Sequence, residues 1–223
     1  MKLSIVDLLA RYVFVLLLTL KAWIPAIATA LLLSLPISRR QISRLPEVLL
    51  RYLPIVFAVG GVLWAWSLSW VSDDVFIAFR YAENLVQGNG LVFNVGERVE
   101  GYTDFLWVLL SAVAIGIGAD PAQSAGLINL ASFAVIILLV AHLSRKVIPN
   151  RNVVPIGFAA ILTAAHYTMA SFGTAGIETM FAAMLTIVAL ERMTKDHFFL
   201  AGLAGTAATM THGLVILFKP SPA

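Results

Sequence analysis

Two adjacent carboxylates, Asp73 and Asp74, follow directly on an apolar run that ends in Trp64, Trp66 and Trp70. Charge at the edge of so apolar a segment is costly unless it meets water or a polar partner, so it marks a functional position by default. An ionised carboxylate held there can accept a proton from a hydroxyl, the elementary step of general-base catalysis. The structural alternative is helix capping, because carboxylates in a first helical turn meet the positive end of the helix dipole. The residues alone leave both open. The surrounding stretch, SDDVFIAFRYAENLVQGNGLVFNVGERVEGYTDFLW from Ser72 to Trp107, also gathers acids, turns and aromatics, and the rest of the chain must hold it.

That rest is a membrane body. Apolar residues make up 60% of the 223 and charged residues 12%, with mean hydropathy +0.92, which excludes an ordinary soluble domain. With no cysteine, thiolate chemistry and disulfide frameworks are excluded. The sequence pI near 9.4 does not point to nucleic acid, because the basic residues form short clusters between apolar segments. The fold class expected is all-α and integral to the membrane: a polytopic helix bundle with an external loop that carries an interfacial amphipathic helix. No nucleic acid is expected among the partners, and the lipid bilayer is.

Residues 1–52 read as an N-terminal hydrophobic segment and a basic cytoplasmic loop. Tyr12 to Ile37 suits an interfacial segment with a hairpin or partial span. Arg39, Arg40, Arg44 and Arg51 precede an apolar run from Leu53 to Trp70, and the positive-inside rule places them in the cytoplasm. Loop 71–104 then emerges on the opposite side of the plasma (inner) membrane. Residues 53–223 form the remaining transmembrane module, with apolar segments at Phe105 to Ala119, Ala125 to Leu143, Val153 to Ala170, Thr179 to Leu190 and Phe198 to Phe218. Arg145, Lys146, Arg151, Arg192 and Lys195 look cytoplasmic, yet counting every segment as one crossing does not put them there. Phe105 to Ala119 falls short of the ~20 residues a crossing helix needs. It is either a half-depth element or the positive-inside rule fails at Arg145. Small residues at Gly60, Gly61, Ala201 and Gly205 suit close helix packing.

Within the loop, Ser72 suits an N-cap with Asp73 and Asp74 in the first turn. Arg80, Glu83, Asn84 and Gln87 form a polar stripe. Gly88 suits the left-handed position after a helix, and Val95-Gly96-Glu97 reads as a turn. His142, His166 and His212, each alone in an apolar run, read as buried imidazoles, and His197 as surface. Tyr81, Phe93, Tyr102 and Trp107 read as interfacial anchors before sugar-stacking rings.

The loop resembles the first external loop of membrane glycosyltransferases of the GT-C fold, whose pattern runs approximately D-D-A-[FY]-I-[ST]-x-R-Y-A-x-N-L-x-x-G-x-G-L-V-x-N-x-G-E-x-V-E-G-Y-T-[ND]-F-L-W. The subgroup it is most similar to is the cell-wall arabinofuranosyltransferases that use decaprenyl-phosphate arabinose. Protein O-mannosyltransferases share a looser pattern. A second patch, Gly173 to Thr179 (GTAGIET), resembles the G-[LM]-E-T of the same proteins. The resemblance implies the N-terminal part of a GT-C fold, a polyprenyl-phosphate sugar donor and a glycan acceptor of the cell envelope. It points to Asp73 or Asp74 as the catalytic base. Arg80 or Arg98 would neutralise the donor phosphate, and Glu100, Tyr102 and Glu178 would complete the substrate site. Without a compact ligand cluster no metal is expected, and no cofactor is implied. The chain departs from the pattern in length and at TMTHGLVILF, where His212 stands before Gly213 in place of an Arg-Pro-acid run. It reads as the N-terminal half of a transferase, doubtful in activity alone and open to completion by a separate C-terminal half. A non-catalytic polytopic subunit of an envelope-polysaccharide assembly, with Asp73 and Asp74 as caps and Arg80 paired to Glu83, is the alternative.

Overall fold

The computed structural model describes residues 47–147 and 154–212. The expectations for Tyr12 to Ile37, for Arg39 to Arg44 and for the end of the last segment fall outside them. Among the described residues every regular element is helical: α1 (Glu47–Ser67), α2 (Val75–Val86), α3 (Phe105–Gly116), α4 (Pro121–Val147), α5 (Val154–Ala164), α6 (Tyr167–Phe172), α7 (Thr179–Met193) and α8 (Phe198–Thr211). One of them, from Pro121 to Lys146, is long and apolar enough to cross a membrane.

Two cores divide the chain into a bundle and a cap. In the bundle, Ala58 and Ala65 of α1 meet Phe133, Ile136 and Ile137 of α4, Ala160 and Ala164 of α5, Ala170 of α6 and Met180 of α7. Gly61 is needed here, since a Cβ would stand 3.0 Å from Ile137 Cδ1 and 3.3 Å from Ala164 Cβ. Gly60 and Gly205 face open space instead. In the cap, Val75, Ala78, Phe79, Tyr81 and Ala82 of α2 bury against Trp107, Val108 and Ala112 of α3 and Ala125 of α4. Outward faces of the bundle carry large apolar side chains such as Leu63, Phe199 and Leu203, all more than half exposed. An apolar exterior of this kind is expected of a surface that meets something other than water.

Contacts between side chains order the helices along one axis. Asn129, early in α4, reaches the carbonyl of Ile177 just before α7. His142, late in α4, faces Glu191, late in α7, at 3.5 Å. So α4 and α7 run the same way, from the cap end to an end where Lys146 Nζ donates to Thr194 Oγ1 at 3.1 Å. From Glu178 to Glu191 that axis covers about 20 Å. Trp107, at the start of α3, bonds Gly176, level with Asn129. Because α3 joins the start of α4 through a short turn, it must run away from the basic end. It lies beside the first third of α4 and does not run the length of the bundle.

Three local expectations change. The Val153 to Ala170 segment breaks at His166, which adopts extended backbone (φ −75°, ψ 109°) and accepts Met169 N–H at its Nδ1, capping α6. His166 is thus exposed, and His142 and His212 have side chains nearly half exposed, so none of the three is a buried imidazole. The polar stripe on α2 is interrupted: Asn84 is buried, and its Nδ2 donates to the carbonyls of Val92 (2.8 Å) and Phe93 (3.0 Å). The helix stop at Gly88 is as expected. Gly88 N–H bonds Leu85 O and Asn89 N–H bonds Asn84 O, a Schellman motif with Gly88 at φ 82°.

Candidate active site

The loop is pinned to the bundle before its acids begin. Trp70 Nε1 donates to Ser171 O at 3.0 Å, and Ser72 N–H to Ala175 O at 2.9 Å. Asp73 and Asp74 then form a turn, and Asp74 rather than Ser72 occupies the N-cap of α2, in αR backbone and without a side-chain cap bond. Adjacent side chains entering a helix diverge by ~100°. Both acids are exposed, but Asp74 lines a cavity of about 170 Å³ and Asp73 does not.

One helical turn along the same face, Ile77 and Ala78 continue the cavity wall. A further turn brings Tyr81, fully buried, whose hydroxyl donates to Val99 O at 2.8 Å and accepts Gly101 N–H at 3.0 Å. This clamp draws the returning chain close enough that a Cβ at Gly101 would stand 2.8 Å from the Tyr81 hydroxyl. Tyr102 then packs edge-on to Tyr81, 4.7 Å between centroids, and the chain delivers Asp104 to the cavity at the N-cap of α3. Asp104 makes no side-chain cap bond either.

The opposite wall is Ile177 and Glu178, from the GTAGIET patch. Gly173 to Gly176 are buried, and Gly176 takes φ 81°, which favours glycine. Trp107 Nε1 donates to Gly176 O at 3.1 Å and Asn129 Nδ2 to Ile177 O at 2.7 Å, so Glu178 is aimed by backbone held from α3 and α4. The Glu178 carboxylate accepts from His212 Nδ1 at 2.7 Å. Burial first, and the Glu178 charge second, push the Asp104 carboxyl up to about 6, against the opposing pull of a backbone hydrogen bond and of His212. Burial likewise raises the Tyr102 phenol, with Glu100, Tyr81 and Asp104 adding to it.

Of the residues singled out in the sequence, Asp74, Tyr102 and Glu178 come together, and Asp73 does not join them. Arg80 lies on another face of α2, bonded to Glu83 Oε2 at 3.1 Å and to Phe93 O at 3.3 Å, beside a separate hollow with Phe76 and Phe79. Arg98 and Glu100 line a third hollow, which meets the cavity only through Tyr102. Among the described residues no Lys or Arg lines the cavity, and no group of three His, Asp or Glu side chains is placed to hold a metal. Asp104 and His212 are additions that the sequence reading did not place in the site. The [ND] position just before F-L-W was a signal for the first. Nothing local distinguishes His212 from a packing histidine. Chemically, the arrangement offers three carboxylates and one phenol around a hollow the size of a small sugar ring, with one imidazole bonded to Glu178 behind the wall.

Comparison with known proteins agrees with the resemblance of the loop. Over 45 residues, 20% of this chain, it is 56% identical to a terminal β-(1→2)-arabinofuranosyltransferase of Corynebacterium glutamicum. Over 121 residues, 52% of the chain, it is 29% identical to a terminal β-(1→2)-arabinofuranosyltransferase of Mycobacterium tuberculosis. The matched stretches cover 7% and 19% of those proteins, so the chain spans a small part of the curated relatives' length. No family model and no solved structure matches.

Proposed function

We propose that this chain forms the acceptor-activating part of a membrane glycosyltransferase of GT-C type. The reaction moves a sugar, arabinofuranose by likeness to the relatives, from a polyprenyl-phosphate donor to a cell-envelope glycan. One observation carries the reading. The two stretches that resemble the transferases, around Asp74 and around Glu178, are far apart in sequence and wall a single cavity. Asp74 takes the proton of the acceptor hydroxyl as the hydroxyl oxygen attacks the anomeric carbon and the lipid phosphate leaves. A positioned base typically contributes ~10²–10⁴-fold. The Arg80–Glu83 pair favours the non-catalytic alternative, which expects it. Against that alternative, Asp74 makes no side-chain cap bond.

The helix axis supports a membrane frame for this reading. In this reading α1, α4, α5 with α6, α7 and α8 cross, and α3 does not, so Arg145, Lys146, Arg192 and Lys195 all fall on the cytoplasmic side with the Arg39 to Arg51 cluster. The cavity then lies near the outer boundary of a ~30 Å hydrocarbon layer, at the depth of a polyprenyl phosphate headgroup. Any remaining walls of the donor site would come from a further stretch such as the relatives possess, on the same or a separate chain.

A chimera tests the reading. The matching region of the Corynebacterium relative is replaced by that of this chain, and arabinose transfer from polyprenyl-phosphate arabinose to an arabinan acceptor is measured in membranes. Transfer that survives the exchange and disappears with Asp74→Asn supports it. Transfer unchanged within a few-fold by Asp74→Asn, Asp104→Asn and Glu178→Gln alike removes it.

A further inference from the structure

His212 closes α8 in extended backbone (φ −143°, ψ 123°) and stands behind the cavity wall, in contact with the Glu178 carboxylate that lines it. Its Nδ1 meets Glu178 Oε1 at 2.7 Å, short enough for a charge-assisted hydrogen bond. Glu178 in turn shares the cavity with Asp104, and neither Asp74 nor Asp104 spends its carboxylate on a helix cap. Three acids facing one hollow repel one another, and that repulsion is relieved if one keeps its proton. We propose that His212 is a positioning residue that works through Glu178 and thereby governs the proton on Asp104, so that the cavity has one acid/base group whose charge is set by a residue of α8. This deepens the reading above and rests on its choice of site.

Among the described residues, Asp104 shares the hollow with Asp74 from the start of α2, Tyr102 from the returning loop and Glu178 from the start of α7, and His212 at the end of α8 stands behind Glu178. Of these, Glu178 raises the Asp104 carboxyl and His212 lowers it, so the two partners of one hydrogen bond act on Asp104 with opposite sign. The consequence is that the hollow carries one negative charge fewer when Asp104 holds its proton and gains a proton acceptor when it does not.

The test reads protonation, so a chain that transfers no sugar can still pass it, and failure here leaves the transferase reading standing. The protein is labelled with ¹³C at aspartate and histidine, reconstituted in nanodiscs and titrated by NMR. Asp104 is assigned from the signal lost in Asp104→Asn. His212→Asn keeps an N–H donor where Nδ1 stood and removes the titratable ring, and Glu178→Gln removes the negative charge. The proposal expects the Asp104 midpoint to move up in His212→Asn and down in Glu178→Gln. A midpoint unmoved in either variant overturns it. Should His212→Asn not fold, the unsubstituted protein decides. The Asp104 signal must then shift a second time at the midpoint of the His212 ring, and independent titration overturns the proposal.

Discussion

Trp107 donates its indole N–H to the carbonyl of Gly176 across 3.1 Å, and this bond joins the helix that ends the 71–104 loop to the segment that aims Glu178. Both partners are buried, and Trp107 also packs on Phe181 of α7 with 5.8 Å between ring centroids. The site therefore depends on a contact that belongs to neither acid.

Trp107→Phe keeps most of that packing and leaves the Gly176 carbonyl without its donor. A buried polar group deprived of its partner costs about 1–3 kcal/mol. Thermal unfolding in a neutral detergent should show a destabilisation of that order, and an unchanged midpoint would mean that water or another donor replaces the indole.

The two adjacent acids should separate cleanly. Asp74 lines the cavity and Asp73 does not, so in the chimera Asp74→Asn should lower transfer by ~10²–10⁴-fold while Asp73→Asn stays within a few-fold. Equal losses from both would show that the turn, rather than one carboxylate, is what transfer requires.

Asp104 gives the cavity a measurable pH dependence. Its carboxyl stands at about 6, against an unfolded value of ~3.9. Over that interval the folded chain binds more protons than the unfolded one. Stability contributed by the protonated acid is therefore full below pH ~4, falls as pH rises towards about 6 and is flat above. Because the group is only partly buried, screening reduces the effect to about 1 kcal/mol. Thermal unfolding followed from about pH 4 to 7 should show this decline in the unsubstituted protein and lose it in Asp104→Asn. A decline of the same size in the variant would assign it to another group.

How much of this was readable beforehand depended on how local the cause was. Gly88 and Gly96 act through their own backbone, at φ 82° and 93°, and their turns fall where the sequence placed them. Asn84 looked like one member of a polar stripe because its partners, the carbonyls of Val92 and Phe93, come from chain that folds back over the helix. Arg80 and Arg98 carry the charge a phosphate needs, but the helix turn and the loop return point them into other hollows. The break at His166 has neither Pro nor Gly to announce it. His212 acquires a role only when α8 returns beside α7 and meets Glu178, a pairing that no spacing within TMTHGLVILF encodes.

The course of α3 leads to the last prediction, which concerns sidedness. If α3 crossed the membrane, the two ends of α4 would exchange sides, and Arg145 and Lys146 would face outward with the cavity. In the proposed frame α3, which starts level with Asn129 and runs away from the basic end, does not cross, and one crossing by α4 brings Arg145 and Lys146 to the side of Arg192 and Lys195. The absence of cysteine allows single thiols to be placed on a clean background. Val95 suits the loop, since it sits exposed in the Gly96 turn, whereas Asn89 bonds Asn84 and helps to hold the helix end. His197 suits the other end, exposed at the start of α8 and without a side-chain cap bond. A membrane-impermeant maleimide should label Val95→Cys in intact cells and His197→Cys only after permeabilisation. Labelling of both in intact cells would return α3 to a full crossing or abolish the axis, and the reverse pattern would invert the chain and place the cavity on the cytoplasmic side, away from any envelope acceptor.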